Sequence, residues 1–172
     1  MRTKLTSAQA NKNLKQLTEE REYWLNKEKN SSIYTSGINE EPVVPEYDYL
    51  EVANQIQEIE EKIMLIKHAI NLANATSPLA VGEKSYTVDQ VLIRMAQLNS
   101  RKRILDNMRK QLPKSRVIPS GYSARSAMPE YQYANYDIEL IKKEYEKISR
   151  EIADMQMALD FYNQTVQFEV DL

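Results

Sequence analysis

Apolar side chains recur along most of this chain at alternating steps of three and four. One run holds Val52, Ile56, Ile59, Ile63, Ile66, Ile70 and Ala73. Another holds Ile138, Ile141, Tyr145, Ile148, Ile152, Met155, Leu159, Tyr162 and Val166. A third holds Val88, Val91, Met95, Leu98, Leu105 and Leu112; Leu92 and Met108 widen its stripe, and Lys102 and Arg109 interrupt it. Near the start Leu14, Leu17, Trp24 and Leu25 make a sparser row. Such spacing gathers side chains on one helical face, and that face has to find a partner face.

The helix breakers divide these runs. Gly37, Pro42 and Pro45 fall in one connector, Pro78 and Gly82 in a second, and Pro113, Pro119, Gly121 and Pro129 in a third. Proline costs roughly 3 kcal/mol inside a helix and glycine about 1. The spacing therefore predicts helices near 7–29, 48–74, 88–112 and 137–166. At a rise of about 1.5 Å per residue they have matched lengths of about 35–45 Å. Thr6-x-x-Gln9, Asp48-x-x-Glu51 and Thr87-x-x-Gln90 have capping-box spacing, and Asn135 or Asp137 can cap the fourth helix. The expected fold is all-α: one domain over residues 1–172, with four long amphipathic helices in an antiparallel coiled-coil-like bundle. Residues 79–87 have room for a short β-turn excursion before the third helix. The tail, Val166 to Leu172, alternates strictly and is expected to end as a short strand.

Charge adds an expectation about pairing. From Glu40 to Glu61 every charged residue is acidic; from Arg94 to Arg125 only Asp106 interrupts a run of cations. A turn near residue 80 would lay the second helix against the third, Glu58 near Arg103 and Glu51 near Lys110. The overall charge of −2 carries no bias toward nucleic acid or anionic membrane.

Catalytic chemistry is thin. Cysteine is absent, which excludes disulfides, thiolate metal sites and cysteine nucleophiles and fits a reducing cytoplasm. His68 is the single histidine and falls away from the apolar seam. A Ser-His-Asp triad or a pair of Glu-x-x-His metal motifs has no basis here. No phosphate-binding glycine loop occurs. No signal-peptide apolar core opens the chain, and no run reaches the roughly 18 apolar residues of a membrane span. The expectation is a non-enzyme without a cofactor or metal.

One segment carries candidate binding chemistry. Arg101, Arg103, Lys114, Arg116 and Arg125 are interleaved or flanked with Tyr122, Tyr131 and Tyr133. Cations beside aromatic faces bind phosphate and stack bases. The same residues also suit ordinary surface and the capping of helix ends, and no RNP-type motif accompanies them.

Ile66-x-x-Ala69-Ile70-Asn71-x-x-Asn74, Gly82, Thr87-x-x-Gln90-x-Leu92-x-Arg94-x-x-x-Leu98, Tyr136-Asp137-Ile138 and Asn163-x-Thr165 together resemble a family of small bacterial proteins called septicolysin-like, a domain of unknown function. The resemblance covers most of the chain from about residue 50. It implies a helical fold and brings no catalytic residues; membrane activity is implied only by the family's label. The sequence thus supports a cytoplasmic helical scaffold that binds protein partners or itself. The alternative is a nucleic-acid or nucleotide binder using the basic, tyrosine-rich 94–136 region.

Overall fold

The computed structural model describes residues 2–117, 128 and 130–171. Tyr122 and Arg125 lie outside the described residues. The chain is mostly helical, with α1 (Ser7–Ser31), α2 (Tyr49–Thr76), α3 (Val88–Arg109) and α4 (Ile138–Thr165). Three two-stranded antiparallel sheets accompany them: β1 (Arg2–Thr6) with β6 (Gln167–Asp171), β2 (Pro78–Val81) with β3 (Lys84–Thr87), and β4 (Lys114–Arg116) with β5 (Tyr131–Tyr133). The strands before α3 and at the C-terminus match expectation. Strands β1, β4 and β5 correct the expectation that the rest is helix and loop.

The helix starts are set by local chemistry. Thr6 and Gln9 form a reciprocal capping box: each side-chain oxygen accepts the other's backbone N–H, at 2.9 and 3.2 Å. Asp48 accepts from the N–H groups of Leu50 and Glu51. The N–H of Thr87 donates to Gln90 Oε1 at 2.9 Å. Of the two candidates for α4, Asp137 caps, accepting from Glu139 and Leu140.

The chain divides into two compact units, Met1–Pro78 with Leu159–Leu172, and Leu79–Ala158. In the first, α1 and α2 pair antiparallel, and β1 and β6 join the two ends of the chain with Leu5 opposite Phe168. Leu5, Ala10, Ile66 and Val170 are buried together; Leu14, Leu17, Ala69, Ile70 and Phe168 pack around them. The Tyr162 hydroxyl, otherwise buried, donates to Ser77 Oγ at 3.0 Å. Along α2 the fully buried residues are Val52, Ile59, Ile66 and Ala73, one per heptad, whereas Ile56, Ile63 and Ile70 are only half-buried. A single partner helix encloses one position per heptad and leaves the alternate one at the edge of the seam.

The pairing of charges differs from expectation. The acidic face of α2 is answered by α1: Arg21 Nη2 lies 2.6 Å from Glu60, and Lys27 Nζ 4.0 Å from Glu51. Lys110, expected opposite Glu51, pairs with Asp106 one turn earlier in its own helix. The α1 and α2 ends adjoin the same connector, so α1's few cations reach α2 first.

In the second unit, Gly82 has φ 59° and opens the two-residue turn between β2 and β3. A positive φ at the first turn position alone is the type II′ pattern, which glycine adopts without steric cost. Helices α3 and α4 run antiparallel. Arg94 meets Glu151 at 3.1 Å, Lys102 meets Tyr145, and the Tyr136 hydroxyl donates to the Met108 carbonyl at 2.9 Å. Val91, Leu98, Leu105, Ile141 and Met155 are buried.

Candidate functional site

The segment with binding chemistry is a β-ribbon rather than an open loop. Helix α3 ends before Pro113, and Tyr136, clamped to Met108, brings the chain back. Between these points β4 and β5 pair with Lys114 opposite Tyr133, Ser115 opposite Gln132 and Arg116 opposite Tyr131. The Ala134 N–H donates to the Pro113 carbonyl at one end of the ladder, and the Val117 N–H to the Glu130 carbonyl at the other. Side chains alternate across a strand, so Lys114, Arg116, Tyr131 and Tyr133 share one face, and Ser115 and Gln132 the other.

All four residues of that face are exposed, Tyr131 by 46% and Tyr133 by 63%. The Lys114 ammonium lies 4.1 Å from the centre of the Tyr131 ring and 5.4 Å from that of Tyr133. This cation–π contact holds the two rings beside a positive charge. Arg116 has no ion pair among the described residues, and its guanidinium is open to an incoming anion. The face offers flat aromatic surface and two cations, which suits a planar or ring-shaped group with negative charge nearby.

Arg101 and Arg103 are not on the ribbon. They are exposed on α3, about two turns before its end, and make no ion pair among the described residues. Half of the candidate residues are thus brought together, two lie apart and two lie outside the described residues.

The cations that interrupt the α3 seam also find partners. The Arg109 guanidinium lies 4.1 Å from the Tyr145 ring centre and Lys102 Nζ 5.4 Å, and all three residues are half-buried. Hydrogen bonds from Lys110, and then from Arg109, hold the Asp106 carboxyl below its usual range, and Asp106 in turn raises Arg109. Tyr145 stands at an apolar seam position in the sequence, so only its polar opposite numbers hinted at this role.

Two further grooves lie among the described residues. One of about 730 Å³ lies between the β2–β3 hairpin and α4 and mixes cations with carboxylates. Several of these are already matched: Arg150 with Glu146, and Glu151 with Arg94. The other, about 460 Å³, runs between α2 and β6 over Leu65, Ala69, Leu72 and Phe168, with His68 at its rim. Among the described residues no group of three or more His, Asp or Glu side chains is placed to hold a metal ion. No described helix is long and apolar enough to cross a membrane. No family model, curated protein or solved structure matches the chain.

Proposed function

We propose that this is a non-catalytic, cytoplasmic scaffold, built on antiparallel coiled-coil-like helix pairs, that works by associating with another protein or with itself. The observation that carries the reading is a set of large apolar side chains left in water at helical spacing. On α2 these are Leu65 and Leu72, seven residues apart, with Met64 beside them at 61% exposure. On α3, Ile93 and Ile104 share a face at 58% and 47%. Scattered exposed apolar residues are ordinary, but an aligned pair that lines a groove, as Leu65 and Leu72 do, marks an association surface.

The test is in-cell cross-linking combined with light scattering of the purified protein. Leu65→Gln with Leu72→Gln is expected to keep the circular dichroism spectrum and remove the cross-linked product. A wild-type protein that is monomeric at all concentrations and cross-links to nothing would end this reading.

The ribbon face supports a second reading, binding of single-stranded nucleic acid by stacking on Tyr131 and Tyr133 with phosphates on Lys114 and Arg116. It requires an oligonucleotide affinity that falls steeply with salt and is lost in Lys114→Glu with Arg116→Glu. No binding at low salt removes it.

A further inference from the structure

The connector between α1 and α2 is an acidic strap, mostly exposed, with Pro45 and Tyr47 half-buried. It begins with a turn in which the Glu40 N–H donates to the Gly37 carbonyl. It ends at Tyr47, whose hydroxyl donates to Glu28 on α1 at 3.5 Å. Between them runs Glu40-Glu41-Pro42-Val43-Val44-Pro45-Glu46, without helix or strand. Two prolines fix their own φ angles and push Glu41 and Val44 toward extended backbone. A four-residue Pro-x-x-Pro core is thus biased toward extended, polyproline II-like backbone. Val43 is 88% exposed and Val44 60%, and Glu40, Glu41 and Glu46 form no ion pair among the described residues.

The ribbon has the opposite chemistry. Extended proline segments dock on aromatic faces, where ring meets ring and little conformational freedom is lost. Tyr131 and Tyr133 supply such a face, and Lys114 and Arg116 stand on it where acidic flanks would lie. The prolines lack N–H groups, so the strap cannot complete a strand ladder, and side-chain recognition of this kind is the mode open to it. Both surfaces are carried by every molecule.

We infer that the strap of one copy docks on the β4–β5 ribbon of a second copy, the carboxylates of Glu40, Glu41 and Glu46 facing Lys114 and Arg116 and Pro42 and Pro45 lying against Tyr131 and Tyr133. This goes beyond the association reading above, which the Leu65 and Leu72 row carries: it adds a separate contact, made between copies of the chain itself. Charge complementarity selects the occupant, because the acidic flanks would be repelled by another acidic surface and a nucleic acid would compete for the same cations.

Light scattering and sedimentation of the full chain, over a range of concentrations and salt, test it. The wild type is expected to self-associate at low salt, and to lose about tenfold or more in affinity near 1 M salt, where exposed charges are screened within about 3 Å. Glu40→Lys with Glu41→Lys and Glu46→Lys gives a basic strap; Lys114→Glu with Arg116→Glu gives an acidic ribbon. Each variant alone is expected to be monomeric with an unchanged circular dichroism spectrum, since all five positions are exposed. Mixed together, or combined in one chain, they are expected to associate again. A wild type that is monomeric throughout, one that binds an oligonucleotide but not itself, or a mixture that stays monomeric overturns the inference. If the wild type self-associates and the charge changes have no effect, the inference fails while the association reading stands. If the wild type does not self-associate and nothing is cross-linked in cells, both fall.

Discussion

Truncation of Ile66 to alanine tests which rows of the apolar pattern form the core. Ile66 is 1% exposed and is packed among Leu5, Ala10 and Val170, where helices and sheet meet. Removing three buried carbons there leaves a void that α1, α2 and β6 cannot all close. The cost is expected at about 3–4 kcal/mol, within the usual range for isoleucine to alanine. Ile63, three residues earlier in the same apolar run, is half-buried, so its truncation removes less area from water and opens its void to solvent; about 1.5–2 kcal/mol is expected. Met64 is 61% exposed and is expected to cost less than about 0.5 kcal/mol. The chain's single tryptophan, Trp24, lies half-buried on α1 with Lys27 5.0 Å from its ring centre, so its fluorescence reports unfolding of this unit. In urea titrations followed at Trp24, the midpoints should fall in the order Met64→Ala, Ile63→Ala, Ile66→Ala, with slopes unchanged. An Ile63 variant as damaged as the Ile66 variant would show that α2 presents a different face, and the division into core and edge rows would be wrong.

The ion pair between Arg21 and Glu60 is exposed, so Arg21→Glu alone is expected to cost no more than about 1 kcal/mol, and Arg21→Glu with Glu60→Arg to recover part of it in a double-mutant cycle. Asp106 has its folded pKa lowered by Lys110 and Arg109, so its contribution is present above the ordinary carboxylate range, about pH 4, and disappears as pH falls through the lower folded value. Asp106→Asn should therefore lower the melting temperature at pH 7, by an amount that shrinks as pH falls below the ordinary carboxylate range; a difference that does not vary with pH would assign the loss to packing.

Helices were legible because two independent signals agree. Glycine and proline are confined to three connectors, and the heptad rows fill what remains; the ends of all four helices fall within three residues of expectation. Partner choice was not legible, because a heptad row says that a face is covered but not by which helix. The row on α1 is sparse, so it gives little notice of the α1–α2 pairing, and the segregated charges of α2 and α3 draw the eye instead. Exposed ion pairs contribute little, however, and the α1–α2 seam is decided by Leu14, Leu17, Ile66 and Ile70 with the sheet beneath them. Strand β1 has one apolar residue facing the core, Leu5, and its partner is at the other end of the chain, so nothing local announces it. The ribbon strands are three residues each, too short for alternation to stand out. The residues of the candidate face were named from composition; that Lys114, Arg116, Tyr131 and Tyr133 share one side depends on a register that only the fold supplies.

Lys102 and Arg109 look like flaws in the α3 row, yet they do what an ideal apolar row cannot. A seam of uninterrupted aliphatic residues tolerates sliding by one heptad, because each step meets an equivalent step. These two cations are themselves seven residues apart, and both reach the ring of Tyr145. Sliding α4 by one heptad would replace Tyr145 by Ile138 or Ile152, neither of which has a ring face to receive a half-buried charge. The cations would then lose the attraction that offsets their partial desolvation, a cost that falls on the slipped arrangement and not on the observed one. Arg94 with Glu151 and Tyr136 with Met108 hold the same register at the two ends of the pair. That register also positions the ribbon, since Met108 and Tyr136 bracket it. The polar interruptions in the α3 seam thus carry their effect outward, to the orientation of the exposed face that bears Lys114, Arg116, Tyr131 and Tyr133.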